Sequence, residues 1–199
     1  MPRTTTPLTL LLILAASLAA PRARADRSPI LAALFHNDGE GFTPPAKNQA
    51  LQALLAQHPA LTFLEACGVG DTAEIARQLT RDPKLATTWT GFGWSALHLA
   101  AFSGVPGAVQ LLLERGAEID ARARSKFKNT PLQAALLGRR DLVDLLLGAG
   151  AEINSRSDDG RTAVTEALRG KHAEIADYLR GKGGHGAEIT ANLEAEPKD

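Results

Sequence analysis

The stretch Gly93-Trp94-Ser95-Ala96-Leu97-His98-Leu99-Ala100-Ala101 decides the fold. It opens a unit that runs through Gly104 and Leu111-Leu112-Leu113 to Gly116-Ala117-Glu118-Ile119-Asp120. Related openings follow as Thr130-Pro131-Leu132-Gln133 and Thr162-Ala163-Val164-Thr165. The ending also recurs. Gly116-Ala117-Glu118-Ile119 returns as Gly150-Ala151-Glu152-Ile153 and as Gly186-Ala187-Glu188-Ile189, at spacings of 34 and 36 residues. A string that returns at a near-constant period marks a repeat architecture, in which each unit buries its apolar face against its neighbours.

Each part of the unit has a physical role. Ser95, Thr130 and Thr162 suit N-caps, because a hydroxyl can accept from the free N–H groups of a first turn. Pro131 falls at the first helical position, where a missing N–H costs nothing. The first helix is short and Ala-rich (Ala100, Ala101, Ala134, Ala135, Ala167), which lets units approach closely. A second helix carries apolar triplets Val109/Leu112/Leu113, Val143/Leu146/Leu147 and Ile175/Tyr178/Leu179, whose spacing puts them on one stripe. Gly116, Gly150 and Gly186 are then expected at the helix C-termini, where a left-handed residue is wanted.

These motifs resemble the ankyrin repeat. Its Thr-Pro-Leu-His-x-Ala-Ala opening is matched by Ser95 to Ala101 and in part by Thr130 to Ala135. Its Leu-Leu-x-x-Gly-Ala ending is matched by Leu112 to Ala117 and Leu146 to Ala151. The resemblance implies an all-α ankyrin-repeat solenoid of about four helix–turn–helix repeats with hairpin loops. They fall at about 61–90, 91–123, 124–156 and 157–190. Leu61 to Leu79 is a degenerate first unit, in which Ala66 and Gly70 align with Ala100 and Gly104. The resemblance gives His98 a structural role, its ring bonded to a neighbouring loop. Four departures stand out: Lys128 where a loop glycine is usual, a unit opening at Thr130 that is one residue short between its helices, Thr165 in the histidine place, and an end stretched by Gly181-Lys182-Gly183-Gly184-His185.

Outside the repeats, residues 1–25 read as a secretory signal peptide. Arg3 is followed by an apolar run of 13 residues, Leu8 to Ala20, and by Ala23-Arg24-Ala25, a small-x-small site for cleavage after Ala25. The apolar run is short for a membrane span of about 20 residues, which disfavours the alternative of an uncleaved anchor. Residues 26–60 form an N-terminal helical cap, with one helix from Pro29 to Phe35, a loop from His36 to Pro44 and a second helix from Pro45 to Gln57. Residues 80–94, 121–129 and 155–161 are loops, and 191–199 is a polar, disordered tail.

Composition restricts the function. Of 22 Lys and Arg, three lie in 1–25, which leaves 19 against 22 acids. That balance gives no basic face for nucleic acid. Cys67, the only cysteine, excludes a disulfide framework and reads as a small buried hydrophobe. Catalytic spacings such as His-Glu-x-x-His, Gly-x-Ser-x-Gly and paired Cys-x-x-Cys are absent. His36, Asp38 and Glu40 on a glycine-containing loop do not amount to a metal site. No enzyme activity, cofactor or metal is therefore expected.

Two features rise above a plain scaffold. Trp89, Phe92 and Trp94 place both tryptophans of the chain in one loop, and Trp and Arg are enriched in binding hot spots. From Ala121 to Arg140 there are six cations, Arg122, Arg124, Lys126, Lys128, Arg139 and Arg140, and no acid. The candidate protein-binding set is Trp89, Phe92, Trp94, Arg122, Arg124, Lys126, Phe127, Lys128 and Arg161. It would serve an exported, periplasmic or secreted, monomeric module that holds another protein with an acidic surface. The module would bind no nucleic acid and keep no membrane insertion after cleavage. A small-molecule or anion-binding protein, or a structural spacer in the cell envelope, is the alternative.

Overall fold

The structure is a computed structural model, and it describes residues 28–35, 48–57, 59–135 and 139–186. The segments 1–25, 36–44 and 191–199, with the signal peptide, the His36/Asp38/Glu40 loop and the tail, lie outside the described residues. Among the described residues ten α-helices follow one another: α1 Pro29–Leu34, α2 Gln49–Leu55, α3 Phe63–Val69, α4 Thr72–Arg81, α5 Ala96–Ser103, α6 Pro106–Glu114, α7 Pro131–Ala134, α8 Arg140–Gly148, α9 Ala163–Arg169 and α10 Ala173–Gly181. The first helices α3, α5, α7 and α9 pack in series, and the second helices α4, α6 and α8 form a parallel row behind them. Among the described residues no strand forms; one antiparallel bridge joins Trp89 to Ser95.

All four first helices start with a hydroxyl cap. Thr62, Ser95, Thr130 and Thr162 accept from the third residue beyond, and that residue's side chain reaches back to the cap's own N–H. Four reciprocal capping boxes fix four helix starts, because each satisfies two otherwise orphaned groups. The second helices bury Ile75/Leu79, Ala108/Val109/Leu112, Leu142/Val143/Leu146 and Ile175/Ala176/Leu179. Two members of each expected triplet are thus buried, and the stripe is completed by Ala108, Leu142 and Ala176 rather than by the third member. Leu113, Leu147 and Tyr178 are only partly covered.

The structure corrects several boundaries. The helix expected from Pro45 starts at Gln49, where Asn48 Oδ1 accepts from Leu51 N–H at 2.9 Å. The loop expected at 80–94 is shortened by α4, which runs to Arg81, and by a 3-10 turn at Pro83–Thr87. Gly116 and Gly150 end their helices with φ of 82° and 94°, but in the last unit Gly183, at 90°, takes that place and Gly186 does not. Counted from the caps, Gly183 follows Thr162 by the same 21 residues that separate Gly116 from Ser95. The third Gly-Ala-Glu-Ile string therefore begins three residues past the structural equivalent.

Helix α1 closes the first repeat. Ile30, Leu31 and Leu34 are buried, and Leu34 lies so close to Gly68 that a Cβ there would stand 2.5 Å from its methyl. Ser28 Oγ donates to the buried Glu65 carboxylate, and Asn48 Nδ2 donates to Ala33 O at 2.7 Å. Cys67 is fully buried in α3. Burial pushes its thiol pKa well up, so it is an inert packing residue.

Candidate interaction surface

In the two central repeats the third residue of the first helix makes the link to the next repeat. His98 Nδ1 accepts from the Ser95 hydroxyl at 2.8 Å, so Nε2 carries the proton and donates to Asn129 O at 2.9 Å. One repeat later Gln133 does the same work: Oε1 accepts from Thr130 N–H at 2.8 Å and Nε2 donates to Arg161 O at 2.8 Å. Asn129 and Arg161 each precede the next N-cap. Thr165 is too short for this reach, and Thr162 Oγ1 instead donates to His185 O at 2.7 Å. Glu65 can only accept when ionised and turns to Ser28. His98 is fully buried, and burial pushes its pKa down to about 4. The ring is neutral and structural, as the resemblance to the ankyrin repeat implies.

Three hairpins precede α5, α7 and α9. Thr90 N–H to Trp94 O at 2.7 Å closes the first, and Ser157 N–H to Arg161 O at 2.9 Å closes the third. Each leaves three residues in the tip. The middle hairpin is closed by Ala123 N–H to Asn129 O at 2.9 Å and holds five: Arg124, Ser125, Lys126, Phe127 and Lys128. Two extra residues thus enlarge this tip relative to both neighbours. Lys128 adopts a φ of 48°, at the position of Gly93 and Gly160, which have 92° and 79°. Neighbouring tips are tied by Arg124 N–H to Gly93 O at 2.7 Å and Asp158 N–H to Phe127 O at 2.9 Å.

The enlarged tip is the most outward of the expected site residues. Phe127 is 44% exposed, with the Lys126 ammonium 4.8 Å and the Arg161 guanidinium 6.0 Å from its ring centroid. Arg122 and Lys128 share one carboxylate, Asp158, at 3.1 and 2.7 Å. Lys128, with Arg122, holds the Asp158 carboxyl below the usual carboxylate range. Arg161 pairs with Asp159 at 3.1 Å and Glu166 at 3.2 Å. Arg124 lies over Trp89, 4.1 Å from its centroid. Two cations on one carboxylate and two over neutral rings leave this loop with excess positive charge. Arg139 and Arg140 do not join it. They start α8, where Arg139 pairs with Asp141 and Arg140 covers Tyr178.

The aromatic loop is less exposed than its composition suggests. Phe92 is 41% exposed, while Trp94 is half-buried. Both meet Phe35, which follows α1, at centroid distances of 5.0 Å, and Phe35 stacks on Phe102 of α5 at 5.3 Å. Phe35 and Phe102 escaped the sequence reading. Phe102 had a weak signal, being a lone aromatic in an Ala-rich first helix; the Phe35 contact is long-range and left none. Elsewhere, a shallow cleft of about 390 Å³ lies between α8 and α10, lined by Asp144, Leu147, Gly148, Ala151, Ile153 and Lys182. Among the described residues no cluster of three His, Cys, Asp or Glu side chains converges for a metal, and no helix is long and apolar enough to cross a membrane.

Comparison with known proteins agrees with this geometry. A family model for ankyrin repeats in three copies matches residues 63–157. Human protein phosphatase 1 regulatory subunit 27 is 36% identical over 121 residues, covering 60% of this chain and 76% of that protein. A Caenorhabditis elegans homologue of transient receptor potential cation channel subfamily A member 1 is 33% identical over 120 residues, 59% of this chain but 10% of the channel protein. The zebrafish (Danio rerio) ankyrin repeat and SAM domain-containing protein 6 is 34% identical over 119 residues, 59% of this chain and 16% of that protein. The chain thus spans only a small part of the two longer relatives. The chain belongs to the ankyrin-repeat family. Ankyrin repeats as a class mediate protein–protein interaction, and one of these relatives is by name a regulatory subunit.

Proposed function

We propose that this chain is an exported, monomeric, non-enzymatic module that holds another protein on its hairpin tips and first-helix face. The observation that carries the reading is the enlarged tip at 124–128, which offers an exposed Phe127 together with Arg124 and Lys126, two cations that lie over rings rather than on carboxylates. An apolar anchor ringed by positive charge suits a partner segment with an apolar side chain among carboxylates, the charges favouring encounter and orientation. Export to the periplasm, or secretion, is supported by the apolar run and Ala23-Arg24-Ala25 in residues 1–25.

Affinity capture from a cell-envelope extract tests the reading. The wild-type chain is compared with a Phe127→Ala/Arg124→Ala variant, both side chains being exposed. Trp94 is left intact, because it packs on Phe35 and Phe102. A protein held by the wild type and lost by the variant is expected. Equal capture by both would place the site elsewhere, and no specific capture would count against a binding module.

A further inference from the structure

The face beside the enlarged tip is already occupied by the chain itself. Phe35 meets Phe92 edge-on at 71° and Trp94 at 85°, and lies at 29° to Phe102. Trp94 and Phe102 also touch edge-to-face, with centroids 5.7 Å apart. All these separations fall in the range where offset and edge-to-face ring pairs attract. The three receiving rings belong to the second repeat's hairpin and to α5, elements of the extended recognition face of such a stack.

We propose that Phe92, Trp94 and Phe102 form a receptor for an aromatic side chain of the partner, and that Phe35 fills it in the unbound chain. This rests on the binding-module reading and assigns it a second anchor point. The occupant is argued from the seat itself. A phenyl ring fits it now, in contacts an aliphatic side chain would not reproduce. Trp94 is joined through Gly93 to the loop whose positive charge favours carboxylates: Gly93 O accepts from Arg124 N–H at 2.7 Å. The partner segment therefore carries an aromatic residue flanked by acidic ones.

Phe35 is placed to leave without undoing the fold. It lies just beyond the end of α1, half-buried. The helix is held independently by Ile30, Leu31 and Leu34, by Ser28 on Glu65 and by Asn48 on Ala33 O. A change of the Phe35 rotamer withdraws its ring from Phe92, Trp94 and Phe102 while α1 stays docked. An intramolecular occupant lowers the apparent affinity of any competitor by the fraction of time the seat is free.

The test uses the full chain labelled with 15N. The indole N–H signals of Trp89 and Trp94 are followed while a blocked Glu-Glu-Phe-Glu-Glu peptide is added, with the Leu and Ala versions as controls. Phe35→Ala should lower the concentration that half-shifts the Trp94 signal by tenfold or more. The Leu peptide should act more weakly and the Ala peptide should leave Trp94 unmoved. Phe35→Leu should give a smaller gain, and it serves as the test if the Ala variant loses its dispersed spectrum. Equal titration of wild type and both variants, or a Trp94 signal that never moves, would overturn the receptor. Shifts confined to Phe127 and its neighbours, alike in all chains, would overturn it while leaving the enlarged tip as the binding site.

Discussion

At residue 98 a neutral imidazole performs the task that a carboxamide performs at residue 133. Each accepts from its own cap and donates to the carbonyl before the next cap. Only the histidine can be protonated. Burial lowers its pKa from 6.5 to about 4, so the unfolded chain takes up the proton first. The stability this residue contributes is therefore complete above about pH 6.5 and is lost as the pH falls to 4. The loss across that window is on the order of 3 kcal/mol. His98→Gln should keep the bridge and remove this part of the pH dependence; urea unfolding at pH 7 and pH 4.5 would show it. A variant whose stability fell as steeply as the wild type would contradict the assignment. Lys128 makes a second residue-scale case. Its left-handed backbone is costly for any side chain, while its exposed ion pair contributes little. Lys128→Gly and Lys128→Ala both lose the pair, but only glycine relieves the backbone. The glycine variant should be the more stable by about 1 kcal/mol in thermal unfolding.

At the level of elements, stability comes from the stacked helix faces, with Leu112 fully buried on α6. Leu112→Ala should cost about 2–5 kcal/mol, read as a lower urea midpoint, as for other buried leucine truncations. Helix starts were legible in the sequence because a capping box is local: Ser95, Thr130 and Thr162 announce themselves within four residues. Helix ends were less so. The third Gly-Ala-Glu-Ile drew attention to Gly186, yet the length counted from the cap selects Gly183. Val109/Leu112 and Val143/Leu146 were legible as the inward face, but Leu113 and Leu147 are only partly covered, because Leu111-Leu112-Leu113 and Leu145-Leu146-Leu147 are continuous apolar runs whose period does not fix the width of the stripe. The enlarged tip was implicit in the cap spacings. Ser95 and Thr130 are 35 residues apart, against 32 for Thr130 and Thr162. The Phe35 contact spans 57 residues or more to each of Phe92, Trp94 and Phe102, and no local pattern encodes a contact of that kind.

For the whole molecule, a repeat stack separates the groups that hold the fold from the groups free to vary. The links through His98 and Gln133 and the buried leucines form the fixed part. The tips at 91–93, 124–128 and 158–160 differ in length, charge and aromatic content on one common frame. Loops carried by a rigid scaffold are where recognition concentrates. The wide, charged, Phe-bearing middle tip is the departure from regularity on which the proposed recognition rests. The most direct measurement is hydrogen exchange across the chain, free and with a captured partner bound. Slowed exchange at 89–94 and 123–129, with the outer helices α6 and α8 unchanged, is the predicted result. Protection confined to the outer helices, or to 48–57, would contradict recognition by the hairpin tips.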